Sequence, residues 1–187
     1  MAGRGPGPRR REVVAAGAVV VGATPVQAMA SEGASDFDFL HGRWIVIHRK
    51  LRERLVGSSD WFEFPGTLQV EPILNGLGNI DRNVLHDPAG RYEASSLRLF
   101  DAKARQWSIY WLDARSPAVV DPPVVGGFSG RKGTFFSEDS FRGRPIRVRT
   151  TYEPRDARTA EWTQAFSADA GASWETNWIM SFRRGQP

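Results

Sequence analysis

From Trp44 onward, side-chain character alternates with a period of two. Trp44, Val46, His48 and Lys50 fall on one face, and Ile45, Ile47, Arg49 and Leu51 on the other. Both faces begin apolar, so periodicity leaves the inward face of this strand open. Further strand-like runs follow at 61–71, 79–86, 91–100, 107–112, 127–129, 133–137, 146–152, 160–166 and 174–184. Asn75-Gly76, Asp87-Pro88, Ala89-Gly90 and Arg142-Gly143 supply the turns between several of them. No long helical period interrupts the series, which predicts an all-β meander, closed as a barrel or stacked as a sandwich. Gly42-Arg43-Trp44 at the start and the arginine-ended run 174–184 predict that the first strand closes against the last, with an indole plugging one end and arginines at the seam. The fold expected is an antiparallel lipocalin-like barrel of about 8–10 strands. Ahead of it, Ser35 and the acids of 36–40 predict one helical turn with Ser35 as its N-cap. Pro65-Gly66 predicts a bend or bulge within the second run.

The final hairpin is the most legible part of the chain. Ser167, Asp169, Gly171, Ser173 and Trp174 match the Asp-box pattern S-x-D-x-G-x-[ST]-W, in which the Asp accepts backbone hydrogen bonds, the Gly takes a positive φ and the Trp seats the turn on the sheet. A single copy implies a structural hairpin and not a sialidase. If Phe166 faces Trp174, then Gln164 faces Thr176 and Trp162 faces Trp178. That register puts Trp162, Phe166, Trp174 and Trp178 on one inward face, with Gln164 a polar group among aromatics. The longest irregular stretch, 113–125, carries Pro117, Pro122 and Pro123 and reads either as a lid across a barrel mouth or as a packed connector.

Residues 1–30 read as an export signal peptide. Arg9-Arg10-Arg11 precedes an uncharged, weakly apolar run of 14 residues, 13–26, and then Ala28-Met29-Ala30, a small-residue cleavage pattern. The run is short of the roughly 20 residues of a membrane-spanning helix. Arg10-Arg11-Glu12-Val13-Val14 is similar to the twin-arginine pattern of bacterial leaders. The expected mature protein is one soluble domain, 31–187, in the periplasm or secreted, with no stable membrane anchor after cleavage. Four arginines against Glu12 place +3 of the chain's net +4 in the leader, which leaves about +1 on the mature part and no electrostatic case for nucleic acid. With no Cys, disulfides, thiolate metal sites and Cys nucleophiles are excluded. The three histidines, His41, His48 and His86, lack zinc-motif spacing, no serine lies in a G-x-S-x-G elbow, and no Gly-rich phosphate loop is present. No metal or cofactor is expected.

Phe37-x-Phe39-Leu40-x-Gly42-x-Trp44, the runs 97–101 and 107–113, Asp121-Pro122-Pro123-Val124-Val125-Gly126 and the run 175–180 resemble a family of uncharacterised bacterial lipocalin-like domains. The resemblance spans most of 36–184 and implies a calycin-type barrel with no settled activity. Calycin-like relatives include haem-binding barrels similar to nitrobindin, whose ligand histidine lies late in the chain. Here every histidine lies in the first half, which speaks against haem and leaves only an early-strand ligand.

The function expected of such a barrel is to hold a small, largely apolar molecule, with His48, Tyr110, Trp111, Gln164 and Trp178 as candidate lining. An alternative is an enzyme of the cyclase or isomerase type in the same cavity. His48, with the cluster Tyr110, Asp113 and Arg115, would then polarise a carbonyl and move a proton. A third reading is a filled core, with the outer face around Ile45 and Ile47 forming a homodimer.

Overall fold

The computed structural model describes residues 32–185, so the leader expected at 1–30 lies outside the described residues. Ten antiparallel strands close into a barrel: β1 (Gly42–Leu51), β2 (Trp61–Ile73), β3 (Gly78–Asp87), β4 (Gly90–Asp101), β5 (Gln106–Asp113), β6 (Val124–Ser129), β7 (Lys132–Phe141), β8 (Arg144–Pro154), β9 (Thr159–Ser167) and β10 (Glu175–Arg184). Each strand pairs with its sequence neighbours, and β1 pairs with β10 to complete the ring. Closure leaves no unpaired sheet edge along the seam.

The seam is built as the sequence predicts. The Trp44 indole is buried, donates from Nε1 to the Leu40 carbonyl at 2.7 Å, and lies 3.9 Å beneath the Arg184 guanidinium. Arg184 also donates to the carbonyls of Phe39 and His41, tying the last strand to the entry segment. That segment is a short 3-10 turn, Asp38–Leu40, which carries Phe37 and Leu40 into the lower end of the barrel. Phe37 meets Trp107, Phe128 and Tyr152 edge-on at about 5 Å. Ser35 contributes its backbone carbonyl to Asp38 N–H, and its side chain does not cap the turn.

Inside and outside are now assigned for β1. Trp44, Val46, His48 and Lys50 point inward and are buried, while Ile45 and Ile47 stand 41% and 43% exposed. The face that carries His48 and Lys50 is thus the buried one, because the barrel interior supplies partners that an isolated strand lacks, while Arg43 and Arg49 stay outside. β3 carries the same inversion further, with Asn79, Asp81 and Asn83 buried and Ile80 exposed.

Two expectations about irregular pairing are corrected. Pro65-Gly66 makes no bulge: β2 stays in register with β1 throughout, through Ile47↔Pro65 and Val46↔Gly66. Proline is tolerated because β3 offers no partner beyond Gly66, so Pro65 has no ladder bond to lose on that side. The glycine is required by a close approach, since a Cβ there would lie 2.6 Å from His48 Nε2 and 2.7 Å from the Val84 carbonyl. The register shift that does occur falls between Thr176 and Trp178 in β10, so Glu175 faces Phe166 and Trp178 faces Gln164. One inserted residue turns Trp174 to the outside, where it packs against Phe136 and under Arg149. The Asp-box hairpin itself forms as expected. Asp169 accepts from Ser173 N–H and from both serine hydroxyls, Gly171 has φ +98°, and Trp174 Nε1 donates to the Gly171 carbonyl. Those hydrogen bonds from Ser173 and Ser167 hold the Asp169 carboxyl down at about 2.

Candidate ligand-binding cavity

The barrel is packed at its lower end around Phe37, and its wall is incomplete in the upper half between β5 and β7. β5 and β6 pair only over Trp107↔Gly126 to Ile109↔Val124, so the upper half of β5 has no β6 beside it. β7 runs on upward past its last β6 contact and pairs there with β8 alone. The resulting split in the wall is crossed by residues 114–123, from which Asp121 and Pro122 reach a cavity of about 170 Å³. This places the proline-rich stretch at the mouth, stiffened on the β5 side by Arg115, which forks onto Asp113 at 2.6 and 2.9 Å and stacks 3.7 Å over Tyr92.

Four of the five candidate lining residues, Tyr110, Trp111, Gln164 and Trp178, line this cavity. Tyr110 does so from the opposite parity to Trp111, because it sits where β5 has lost its neighbour. The fifth, His48, is not among the lining side chains. It is fully buried on β1, stacks at 4.8 Å on Phe64, and accepts from Trp178 Nε1 through Nδ1 at 3.3 Å. That hydrogen bond fixes the neutral tautomer with the proton on Nε2, which has no partner among the described residues. Burial, with the Lys50 charge beside it, pushes the imidazole down to about 3, so it is neutral at physiological pH. His48 and Tyr110 therefore do not converge on one point, and Asp113 is engaged by Arg115. Among the described residues, no group of three or more His, Cys, Asp or Glu could hold a metal ion.

Sequence reasoning missed Ser96, Thr150 and Tyr152, which line the cavity from β4 and β8. The signal was available in part, since Thr150 and Tyr152 share the parity of Ile146 and Val148 in one run. Below them lies a cluster that the sequence did not disclose. Arg98 donates to Asp81 at 2.7 Å, to Asn79 at 2.9 Å and to Tyr152 Oη at 3.3 Å, while Asp81 also accepts Ser96 N–H at 2.8 Å. The Arg98 and Asp81 side chains are 2% and 1% exposed.

On the far side of Trp178 from the mouth stands a second charge. Lys50 Nζ lies 3.8 Å over the Trp178 ring, donates to Tyr92 Oη at 3.2 Å and is 3.8 Å from Asp87. Burial pulls its pKa down to about 8 against the support of Asp87, and burial likewise raises Tyr92 to about 12, so the phenol stays neutral as acceptor. Between pH 8 and 10.5 the folded chain has shed this proton while the unfolded chain keeps it, so stability should rise with pH by about 3 kcal/mol from Lys50. Urea midpoints measured from pH 7 to 10 should show the rise in the wild type and not in Lys50→Met; equal slopes would contradict it.

No family model matches the chain, and no curated protein matches it. Solved structures do. The crystal structure of Rv2717c from M. tuberculosis is similar at 10% identity and a TM-score of 0.54, over 83% of this chain and 98% of that one. The structure of EF1p2_mFAP2b bound to DFHBI aligns at 8% identity and a TM-score of 0.45, over 82% and 99%. At these identities the first likeness shows the barrel fold alone, and the second adds no argument to it.

Proposed function

We propose that the chain is an exported, lipocalin-like barrel that binds a small molecule in its upper cavity. The observation that carries this reading is the cavity itself, about 170 Å³, walled by Trp111, Trp162 and Trp178 and reached through the split between β5 and β7. A dry cavity of roughly 150 Å³ suffices for benzene. The ligand is thus one ring, or one arm of a larger molecule whose remainder passes the mouth. The tryptophans meet edge to face, Trp162 on Trp178 at 5.2 Å and Trp111 on Trp178 at 5.9 Å, and the His48 bond to Trp178 fixes the central indole. A wall held this way is set before the ligand arrives, which lowers the ordering cost of binding. Export rests on the basic, apolar and Ala-x-Ala pattern of residues 1–30.

Native mass spectrometry of the protein from its own exported fraction tests both parts. The expected result is the mass of residues 31–187 with a reproducible non-covalent adduct. Retention of residues 1–30 would overturn the leader, and a mature protein that takes up no ring-sized molecule would overturn the container. Ser96→Phe, which fills the cavity from β4, should weaken binding tenfold or more, about 1.4 kcal/mol, as read by tryptophan fluorescence.

A further inference from the structure

The polar groups of the cavity are not distributed like those of a hydrocarbon pocket. Thr150 and Gln164 face each other across β8 and β9, both on the inward side and both lining the cavity. Thr150 is 4% exposed, and its Oγ1 has no hydrogen-bond partner among the described residues. The Gln164 amide, a donor and an acceptor among aromatic rings, makes no hydrogen bond with any described residue, although Trp178 stands opposite it in the ladder. Buried polar groups are nearly always satisfied, so the unpartnered Thr150 hydroxyl, with the half-buried Gln164 amide beside it, marks where a ligand's polar group sits. Of the residues that line the cavity, the charged ones are carboxylates, and the Arg115 cation of the mouth segment is forked onto Asp113. Asp121 and Asp139 line the opening, and neither forms an ion pair among the described residues. Arg98, the cation beneath the floor, is already neutralised by Asp81.

We infer that the ligand is an uncharged, single-ring aromatic bearing a hydroxyl or amide group, its ring against the tryptophans and its polar group hydrogen-bonded to Gln164 and Thr150. This rests on the container reading above and replaces a purely apolar occupant with a hydrogen-bonding one. A site whose polar groups need a partner discriminates against the analogue that lacks one, because binding the analogue leaves them dry and unpaired.

The test is calorimetric or fluorescence titration of the mature protein with toluene, p-cresol and 4-hydroxybenzoate, which share a ring and differ in polarity and charge. In the wild type p-cresol should bind at least about tenfold more tightly than toluene, and 4-hydroxybenzoate more weakly than p-cresol. Gln164→Leu and Thr150→Val should shrink the preference for p-cresol over toluene to threefold or less, while toluene binding is kept or improved, which also shows that the variants fold. Equal affinity of toluene and p-cresol in the wild type would overturn the polar assignment and leave the container intact. A preference for 4-hydroxybenzoate would overturn the uncharged class. If none of the three binds, the container reading fails and takes this one with it.

Discussion

Arg98→Met is expected to destabilise the barrel by about 3–5 kcal/mol, a large part of the stability of a domain this size. The reason is what the variant leaves behind. Asp81 would remain 1% exposed, with only the Ser96 N–H on its carboxylate and no counter-charge, while Asn79 Oδ1 and Tyr152 Oη would lose their donor. The loss therefore measures an orphaned anion more than the worth of the pair. A double variant separates the two, since Arg98→Met with Asp81→Leu removes both charges and should recover most of the deficit. Urea denaturation of the two single variants and the double variant checks this. If the double variant is as unstable as the sum of the singles, the pair is not an interdependent unit and the argument fails.

Acidification should unfold the wild type largely through one residue. His48 is depressed from 6.5 to about 3 by burial and by Lys50, so at pH between these values the unfolded chain takes up a proton that the folded chain refuses. The sign follows directly: the contribution is fully present above pH 6.5 and is lost as pH falls toward 3, to a total on the order of 5 kcal/mol. Carboxylates lowered by hydrogen bonds, Asp113 and Asp101 among them, add a loss further down. His48→Gln keeps an acceptor for Trp178 and cannot titrate, so it isolates the contribution of the histidine. Stability followed from pH 7 to pH 4 should fall steeply in the wild type and shallowly in His48→Gln. Parallel curves would show that His48 takes up its proton without unfolding the barrel.

These two residues illustrate unequal legibility. His48 was visible in the sequence as a member of the Trp44 face, and that face is indeed buried. Its role was not visible, because whether it lines a cavity or braces an indole depends on β10, whose tryptophan lies 130 residues away. Arg98 sits in the run 91–100, where nothing local marks it as a buried cation. Only the inward aspartate of β3, seventeen residues earlier, makes it a core residue.

The sequence by itself determined an antiparallel all-β meander of about 8–10 strands, the closure of the first on the last and the Asp-box turn. Each of these is written in local terms: period-two alternation, turn residues at fixed offsets, and a tryptophan in the first strand with an arginine at the end of the last, which meet at the seam. Tertiary structure alone decided which face of β1 is inside, the bulge that turns Trp174 outward, the polar interior around Asp81 and Arg98, and the cavity. The physical reason is that alternation divides a strand into two faces without ranking them. A bulge of one residue reverses every later position, and a void of about 170 Å³ is the small volume left over when side chains from seven strands and the mouth-crossing segment fail to fill the space between them.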